Sequence, residues 1–184
     1  MNLSGKILIA MPGMGDPRFD HSVVFICAHS VDGAMGIIIN KPAHDLTFST
    51  LMKQLGIPAS EQMRDIRVHM GGPVDLTRGF VLHSSDYQGS VATLKVNDRF
   101  GMTTTLDILE SLAAGEGPDQ SLLALGYAGW GKGQLESEIA RNGWLTADAT
   151  PDLVFSRASE TKWSAALRTL GIEPIMLSPT SGRA

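Results

Sequence analysis

The sequence predicts an α+β fold in a single domain, and three observations lead to this prediction. Short apolar, β-branched segments follow one another closely and are separated by turn residues, which is typical of antiparallel neighbours rather than of strict βαβ alternation. Helical periodicity is confined to a few segments. The 184 residues contain no internal repeat, low-complexity tract or linker, so residues 1–184 are predicted to form one domain around one core.

The first strands are predicted near the amino terminus. The run Lys6-Ile7-Leu8-Ile9-Ala10 predicts a buried strand, and the segment 11–17, rich in Pro and Gly, predicts a loop after it. Residues 22–28 and 35–40 are apolar and β-branched, and Asp32-Gly33 lies between them. This arrangement predicts a β-hairpin.

A short helix and several strands are predicted next. Apolar residues recur at helical spacing within 48–55, Thr47 is placed to cap the helix, and Gly56 follows its end. Strand-like segments bounded by turn residues then occur at 66–70, 79–83, 91–96 and 99–103.

The second half of the chain is predicted to contain three helices and one strand. The last helix is predicted to start at Pro151, which a first helical turn tolerates, and to end at Gly171. The tail 178–184 is predicted to be flexible. The other predicted elements are a helix at 106–114, a strand at 121–127, a glycine-rich turn at 129–133 and a helix at 134–141.

Charge and cysteine content bear on the class of protein. The formal net charge is −4 and Lys and Arg do not cluster in the sequence, so a nucleic-acid binder is not indicated, although a basic patch assembled by folding stays open. Cys27 is the only cysteine, which excludes an intrachain disulfide and fits a reducing compartment; its apolar neighbours predict that it is buried. No apolar stretch approaches the ~20 residues of a membrane helix. We therefore expect a cytoplasmic protein that contacts no membrane.

Familiar catalytic and metal-binding motifs are absent from the sequence. It contains no Gly-x-Ser-x-Gly motif, and Cys27 has no polar setting that would make it a nucleophile. The five histidines show no compact ligand spacing. We predict no metal, no cofactor and no catalytic residue that local sequence identifies.

One segment nearly matches a phosphate-binding loop. The pattern Gly126-x-x-x-x-Gly131-Lys132-Gly133 lacks the Ser or Thr after Lys that would ligate magnesium, which argues against a nucleotide triphosphatase. Two interpretations stay open: a turn whose backbone N–H groups hold an anion, or a turn shaped only for packing. The nearby Glu136 and Glu138 point in different directions on a helix, so they are not predicted to form a catalytic pair.

Two loops are predicted to form a binding surface. The first concentrates charge around Asp16 and Arg18, and the second leads into the helix at 134–141. Loops that leave neighbouring strand ends can form a cleft, although the same residues also suit simple turn chemistry, with Asp16 bonding local backbone and Phe19 anchoring its loop. The candidate residues are Asp16, Arg18, Phe19, Gly129, Trp130, Lys132 and Gln134.

Four ordered segments resemble the YqgE/AlgH family. They are the stretch from Leu8-Ile9-Ala10-Met11-Pro12 to Phe19, the stretch from Gly33 to Asn40-Lys41-Pro42, Gly71-Gly72-Pro73-Val74, and the stretch from Gly126-Tyr127-Ala128-Gly129-Trp130 to Glu138. The resemblance spans nearly the whole chain. It implies a branched, mostly antiparallel sheet, part of it closed into a small barrel, with helices packed outside. It implies no established activity and no catalytic residues.

The function that follows is a non-enzymatic binding or regulatory module. Its partner is an unknown protein or a small acidic ligand, and no sequence-specific nucleic acid is expected. An enzyme whose site is assembled from distant loops is the alternative. Some members of the family are labelled transcriptional regulators, a label that an acidic chain without a helix-turn-helix or zinc module does not support.

Overall fold

A nine-stranded curled sheet provides the frame of the molecule. The computed structural model describes residues 1–89 and 92–177. The predicted flexible tail at 178–184, and Val91 at the start of the strand predicted at 91–96, lie outside the described residues. The strands are β1 (Lys6–Ala10), β2 (Val23–Ser30), β3 (Gly33–Ile38), β4 (Val68–Met70), β5 (Val74–Ser84), β6 (Thr93–Lys95), β7 (Phe100–Thr103), β8 (Ser121–Gly131) and β9 (Trp144–Asp148).

Five α-helices pack against this sheet in the described part of the chain. The first begins after Thr47, whose hydroxyl accepts a hydrogen bond from the Thr50 N–H as an amino-terminal cap, as the sequence predicts. The helices are α1 (Phe48–Gln54), α2 (Leu106–Ala113), α3 (Gln134–Ala140), α4 (Pro151–Val154) and α5 (Ser159–Thr169). No helix in the described ranges has the length and apolar character needed to cross a bilayer.

The sheet is mostly antiparallel and branches at β8. Its main order is β6-β7-β5-β8-β3-β2-β1-β9, and β4 joins β8 outside this path as the parallel neighbour. The branch forms because β8 is eleven residues long and pairs with β5 and β4 along its first part but with β3 at its end. The sheet curls into a half-barrel, and helices pack against its faces. The predicted α+β class and the branched sheet that the resemblance implies are confirmed.

Both faces of the central strands are buried, which explains their continuous apolar sequence. In β1, Ile7 and Ile9 pack in a cluster with Trp163 and Leu167 of α5. Leu8, which points to the opposite face, packs in a second cluster that includes residues of α3 and β9. A third cluster joins α1 and α2 to β4 and β5. The sheet therefore holds α3 and α5 on its opposite faces.

The hairpin prediction is confirmed, and its turn brings two strands very close. β2 and β3 pair antiparallel around Val31-Asp32. Gly33 has φ +143, and a Cβ atom there would collide with the carbonyl oxygen of Trp130 on β8. Glycine at this position therefore permits the close approach of β3 to β8.

The Gly71-Gly72 motif lies where the sheet branches and passes very close to β8. A Cβ atom on Gly72 would collide with the backbone of Tyr127, and one on Gly71 would collide with the carbonyl of Gly126. Gly71 also accepts a hydrogen bond from Ile38 N and donates one to Leu125 O. The two glycines thus let the chain pass between β3 and β8 where the sheet divides.

Two predicted elements differ from the structure. The predicted turn at 129–133 is wrong in extent, because β8 continues to Gly131 through its pairing with β3. The predicted single helix from Pro151 is wrong as well, because it divides into α4 and α5. Two hydrogen bonds accompany the break between these helices. The Val154 carbonyl accepts one from the Lys162 ammonium, and the Ala158 N–H donates one to Ser156 Oγ rather than to a helical carbonyl.

Candidate functional site

The two predicted loops meet at one cleft, which we call the outer cleft. Its volume is about 650 Å³. The residues that line it come from the loop after β1, the start of β5, the end of β8, and α3 with the turn that follows it. They include Met14, Asp16, Arg18, Phe19, Pro73, Val74, Gly129, Trp130, Gln134, Glu138, Arg141 and Asn142.

One wall of the outer cleft is a self-contained polar turn. Asp16 caps the 3₁₀ turn Pro17–Phe19 by accepting a hydrogen bond from Arg18 N at 3.0 Å. The Arg18 guanidinium also donates to the Asp16 carboxylate, from Nε at 3.0 Å and from Nη2 at 2.8 Å. The side-chain hydrogen bond from Arg18 is the main cause that lowers the pKa of Asp16. Asp16 therefore stays ionised and holds Arg18 in place.

Phe19 anchors this loop to the body of the molecule. Its ring stacks on Trp130 of β8 with centroids 6.4 Å apart, and it meets Trp144 of β9 edge-on at 5.6 Å. Aromatic pairs at such separations add to the stabilisation that burial alone provides. The sequence-based suggestion that Phe19 fixes its loop to the core is confirmed.

The floor of the cleft contains a carboxylate with three N–H donors. Oε2 of Glu138 accepts hydrogen bonds from the indole Nε1 atoms of Trp130 and Trp144, each at 2.9 Å. Oε1 of Glu138 accepts a third from Gln134 Nε2 at 3.1 Å, and Gln134 Oε1 in turn accepts one from Gly131 N at 3.0 Å. This network joins β8, α3 and β9.

The network limits what the predicted residues can offer to a ligand. Trp130 is only 6% exposed, its N–H is bonded to Glu138, and Phe19 covers its ring. Both ends of the Gln134 amide already take part in hydrogen bonds. Trp130 and Gln134 therefore have structural contacts in the cleft, and the expectation that they also supply stacking and hydrogen bonding to a partner stays a prediction.

Two of the residues that line the outer cleft are exposed arginines. The Arg18 side chain is 64% exposed although it pairs with Asp16. Arg141, just past the end of α3, is exposed and lines the same cleft, and its side chain forms no ion pair or hydrogen bond with any residue in 1–89 or 92–177. The cleft thus has two exposed arginine side chains among its lining residues.

The structure brings together all but one of the predicted surface residues. Lys132 lies on the exposed turn between β8 and α3 and does not line the outer cleft. Sequence reasoning missed Arg141, and for Glu138 it excluded only a catalytic pairing with Glu136. The spacing of Gln134 and Glu138, four residues apart on one helix face, was the signal for their hydrogen bond.

The segment that nearly matches a phosphate-binding loop is mainly strand. Residues 126–131 belong to β8. The last residues of this strand pair with β3, where Trp130 lies opposite Ala34 and Ala128 opposite Gly36. Backbone N–H groups committed to a sheet ladder are not available to an anion. The turn shrinks to Lys132 and Gly133, and α3 is only seven residues long. The structure therefore favours the packing interpretation of this segment.

Glu136 points away from Glu138, as the helical spacing predicts. Its Oε1 accepts a hydrogen bond from His29 Nε2 at 2.6 Å, while His29 Nδ1 accepts one from Leu3 N at 3.0 Å. The second bond fixes the tautomer that carries the proton on Nε2. The pKa of Glu136 is lowered, first by its own backbone N–H and then by His29.

The two histidines predicted in strands are both buried. His83 of β5 bonds to Thr103 Oγ1 at 2.9 Å and to the Ser84 carbonyl at 2.7 Å, and burial lowers its pKa. His69 of β4 is 3% exposed, and among the described residues neither of its ring nitrogens has a hydrogen-bond partner of good geometry. Within the described ranges, no three His, Cys, Asp or Glu side chains are grouped so that they could hold a metal ion.

The chain is an α+β protein whose half-barrel sheet branches at β8, where glycines allow the strands to come close. This chain belongs to the AlgH-like family, whose sequence profile matches residues 7–175. The resemblance drawn from the four sequence segments is therefore confirmed. Among its relatives, a UPF0301 protein of Cereibacter sphaeroides is 59% identical over 184 residues and is matched over the full length of both chains. A UPF0301 protein of Jannaschia sp. is 60% identical over 185 residues, covering 100% of this chain and 96% of the relative.

Two solved structures share the fold of this chain. The AlgH protein from Pseudomonas aeruginosa is 40% identical, with a TM-score of 0.81 over 100% of this chain and 97% of that one. A protein from Corynebacterium diphtheriae is 23% identical, with a TM-score of 0.71 over 99% of this chain and 92% of that one, and shows the shared fold alone.

Proposed function

We propose that this chain is a cytoplasmic, non-enzymatic binding module that receives an acidic segment of a partner protein in its outer cleft. The observation that carries the proposal is the pair of guanidinium groups, Arg18 and Arg141, on a single cleft of about 650 Å³. Guanidinium groups bind carboxylates through paired N–H donors. Arg18 already uses Nε and one Nη2 donor on Asp16, so it offers a partner its remaining Nη donors, and Arg141 supplies the second guanidinium group.

The cleft is already organised before a partner arrives. Asp16 holds Arg18, Phe19 fixes the loop on Trp130 and Trp144, and Glu138 ties both indoles to α3. A binding surface with fixed side chains loses less conformational entropy when a partner binds. The hydrogen-bond network therefore supports recognition by a preorganised surface.

The state of the carboxylates supports binding rather than catalysis. Asp16 is paired with Arg18, and Glu138 accepts three N–H groups. The pKa of Asp16 is lowered chiefly by its side-chain hydrogen bond with Arg18, so this carboxylate is a weak base. The outer cleft thus offers exposed guanidinium groups, although Asp16 and Glu138 offset the formal charge of its two arginines.

Synthetic peptides of defined charge test this proposal. We expect a Glu- and Asp-rich peptide to bind the full-length chain, measured by fluorescence anisotropy, and a peptide of equal length with Gln and Asn in place of the acids not to bind. Affinity should fall as salt is raised, because exposed charge pairs are screened.

Arginine variants locate the binding site. We expect Arg18→Ala with Arg141→Ala to weaken acidic-peptide binding by about tenfold or more. Arg168→Ala is the matched control, since Arg168 is an exposed arginine of α5 with its own acidic neighbour, Glu173, at 3.5 Å. Equal affinity for acidic and neutral peptides, or full retention by the double variant, would disprove the proposed function.

A further inference from the structure

A second cavity lies apart from the outer cleft and shares no residue with it. We call it the inner pocket; its volume is about 160 Å³. It is enclosed by the segment before β4, the start of β8, the link between α4 and α5, and α5 itself. Its polar residues include Arg67, His69, Ser121, Arg157 and Lys162.

A buried ammonium group faces this pocket. Lys162 is only 2% exposed, and its Nζ donates to the carbonyls of Ile39 at 3.0 Å and Val154 at 2.8 Å. Both acceptors are neutral, and the third ammonium proton has no acceptor in the described part of the chain. Burial, and secondarily Arg67, lower the pKa of Lys162 to about 8. Lys162 is thus mainly charged at neutral pH without a bonded carboxylate, although buried charges are normally paired.

Two further polar groups in the pocket lack partners. His69 is only 3% exposed, and neither ring nitrogen makes a hydrogen bond of good geometry within the described residues. Backbone groups of Leu123 and Arg67 lie near the ring and oppose part of the lowering of its pKa by burial. Ser121 Oγ is buried and equally without a partner there. Burial, followed by the nearby charge of Lys162, lowers the pKa of His69 to about 4. The imidazole is therefore neutral at pH 7 and presents one N–H donor and one lone pair.

Arginines add positive charge around the pocket. Arg67 donates to the Arg157 carbonyl at 3.0 Å, so its charge is not neutralised by that contact. Arg64 donates to the carbonyls of Pro118 and Asp119. Arg157 alone pairs with an acid, Asp65, at 2.7 Å, and Asp119 also lines the pocket. Arg64, Arg67 and Lys162 thus donate to neutral carbonyls at one site.

We propose that the inner pocket binds a small oxyanion of the phosphate class. An oxyanion supplies acceptors for the Lys162 ammonium and the Ser121 hydroxyl. It also adds negative charge where Asp65 and Asp119 offset only part of the charge of four basic side chains. A protonated phosphate also carries an O–H that the imidazole lone pair of His69 can accept. The inner pocket, at about 160 Å³ against about 650 Å³ for the outer cleft, is sized for inorganic phosphate or a similarly small ester.

Titration of the wild-type chain with inorganic phosphate tests the proposal directly. The ring nitrogens of His69 are followed by NMR at constant ionic strength, with sodium chloride as the ionic control and sodium acetate as the carboxylate control. We expect a saturable shift of the His69 signals with phosphate and a weaker response, or none, with acetate. No saturable shift with phosphate, or tighter binding of acetate, would overturn the proposal.

Variants assign the binding to this pocket. We expect Lys162→Met, which keeps an apolar stem, to weaken phosphate binding measured by calorimetry by about tenfold or more. Ser121→Ala, which removes only a hydroxyl, serves if Lys162→Met fails to fold and should weaken binding several-fold. Lys95→Met is the matched control, because Lys95 is exposed on β6. Wild-type affinity in a folded Lys162→Met or Ser121→Ala chain would refute the assignment.

Discussion

The indole N–H of Trp130 donates a hydrogen bond to Oε2 of Glu138 across 2.9 Å, which connects the last residues of β8 to the helix that follows them. The same oxygen accepts the indole N–H of Trp144 from β9. Trp130 and Trp144 are 6% and 1% exposed, so neither N–H has ready access to water. Glu138 is therefore the acceptor on which the floor of the outer cleft depends.

The first prediction concerns Glu138 and stability. We expect Glu138→Ala to lower the free energy of unfolding by about 2–4 kcal/mol, because two buried indole N–H groups lose their acceptor at a cost of about 1–3 kcal/mol each. Glu138→Gln keeps one acceptor oxygen and should cost less. Urea unfolding measures both effects.

Glu110→Ala provides the control for this prediction. Glu110 is exposed on α2, and we expect its replacement to change stability by no more than about 0.5 kcal/mol. If Glu138→Ala were as mild as Glu110→Ala, the network would contribute little to the fold.

The second prediction concerns the only cysteine. Cys27 is 2% exposed, and burial raises the pKa of its thiol to about 12. The thiolate is the reactive form, so we expect the native chain to react with a thiol reagent far more slowly than the urea-unfolded chain. The reaction is followed by absorbance as urea is increased. Equal rates for the native and unfolded chains would contradict the buried position of the thiol.

The third prediction concerns stability in acid. The pKa of His69 is lowered from 6.5 to about 4 in the folded chain, so between these values the unfolded chain binds the proton more readily. Stability must therefore fall as pH drops through this window, by up to about 3 kcal/mol from this group. Unfolding is measured by urea titration at several pH values in phosphate-free buffer.

Two histidine variants isolate the contribution of His69. We expect His69→Gln to show a smaller loss of stability between pH 6.5 and 4 than the wild type, whatever its stability at neutral pH. His44→Gln, at an exposed loop position, should keep the wild-type pH dependence. Identical slopes for wild type and His69→Gln would mean that His69 does not titrate as the buried geometry requires.

Much of the fold could be predicted from local sequence. The hairpin of β2 and β3, the cap at Thr47 and the burial of Cys27 depend on neighbouring residues and turn chemistry. The extension of β8 to Gly131 could not be read locally, because it depends on pairing with β3, nearly a hundred residues earlier in the chain. Glycine in such a place indicates a turn until the partner strand is known.

The outer cleft was predictable in part for the same reason. Its two loops leave strands that the sequence identifies, but the roles of Trp130 and Gln134 are set by Glu138 and Trp144, which only the fold brings to them. No motif in the sequence predicts the inner pocket. His69, Ser121 and Lys162 come from two strands and a helix far apart in the chain.

The last prediction concerns stability in alkali. The pKa of Lys162 is lowered from 10.5 to about 8 in the folded chain. Between these values the folded chain has released a proton that the unfolded chain still holds, so this group makes the free energy of unfolding rise with pH. The gain approaches about 3 kcal/mol across the whole window. The opposite trend comes from Cys27, whose thiol pKa is raised from 9.0 to about 12 and which therefore ionises first in the unfolded chain.

Comparison of two chains separates these opposing contributions. Cys27 is present in both wild type and Lys162→Met, so its contribution cancels in the difference between their unfolding free energies. We expect that difference to shift in favour of the wild type as pH rises from 8 to 10, measured by urea unfolding in phosphate-free buffer. Lys95→Met, at an exposed position of β6, should show no such shift relative to wild type. A constant difference between wild type and Lys162→Met would show that Lys162 keeps its proton in the folded chain, because only a group that titrates differently in the two states makes stability depend on pH.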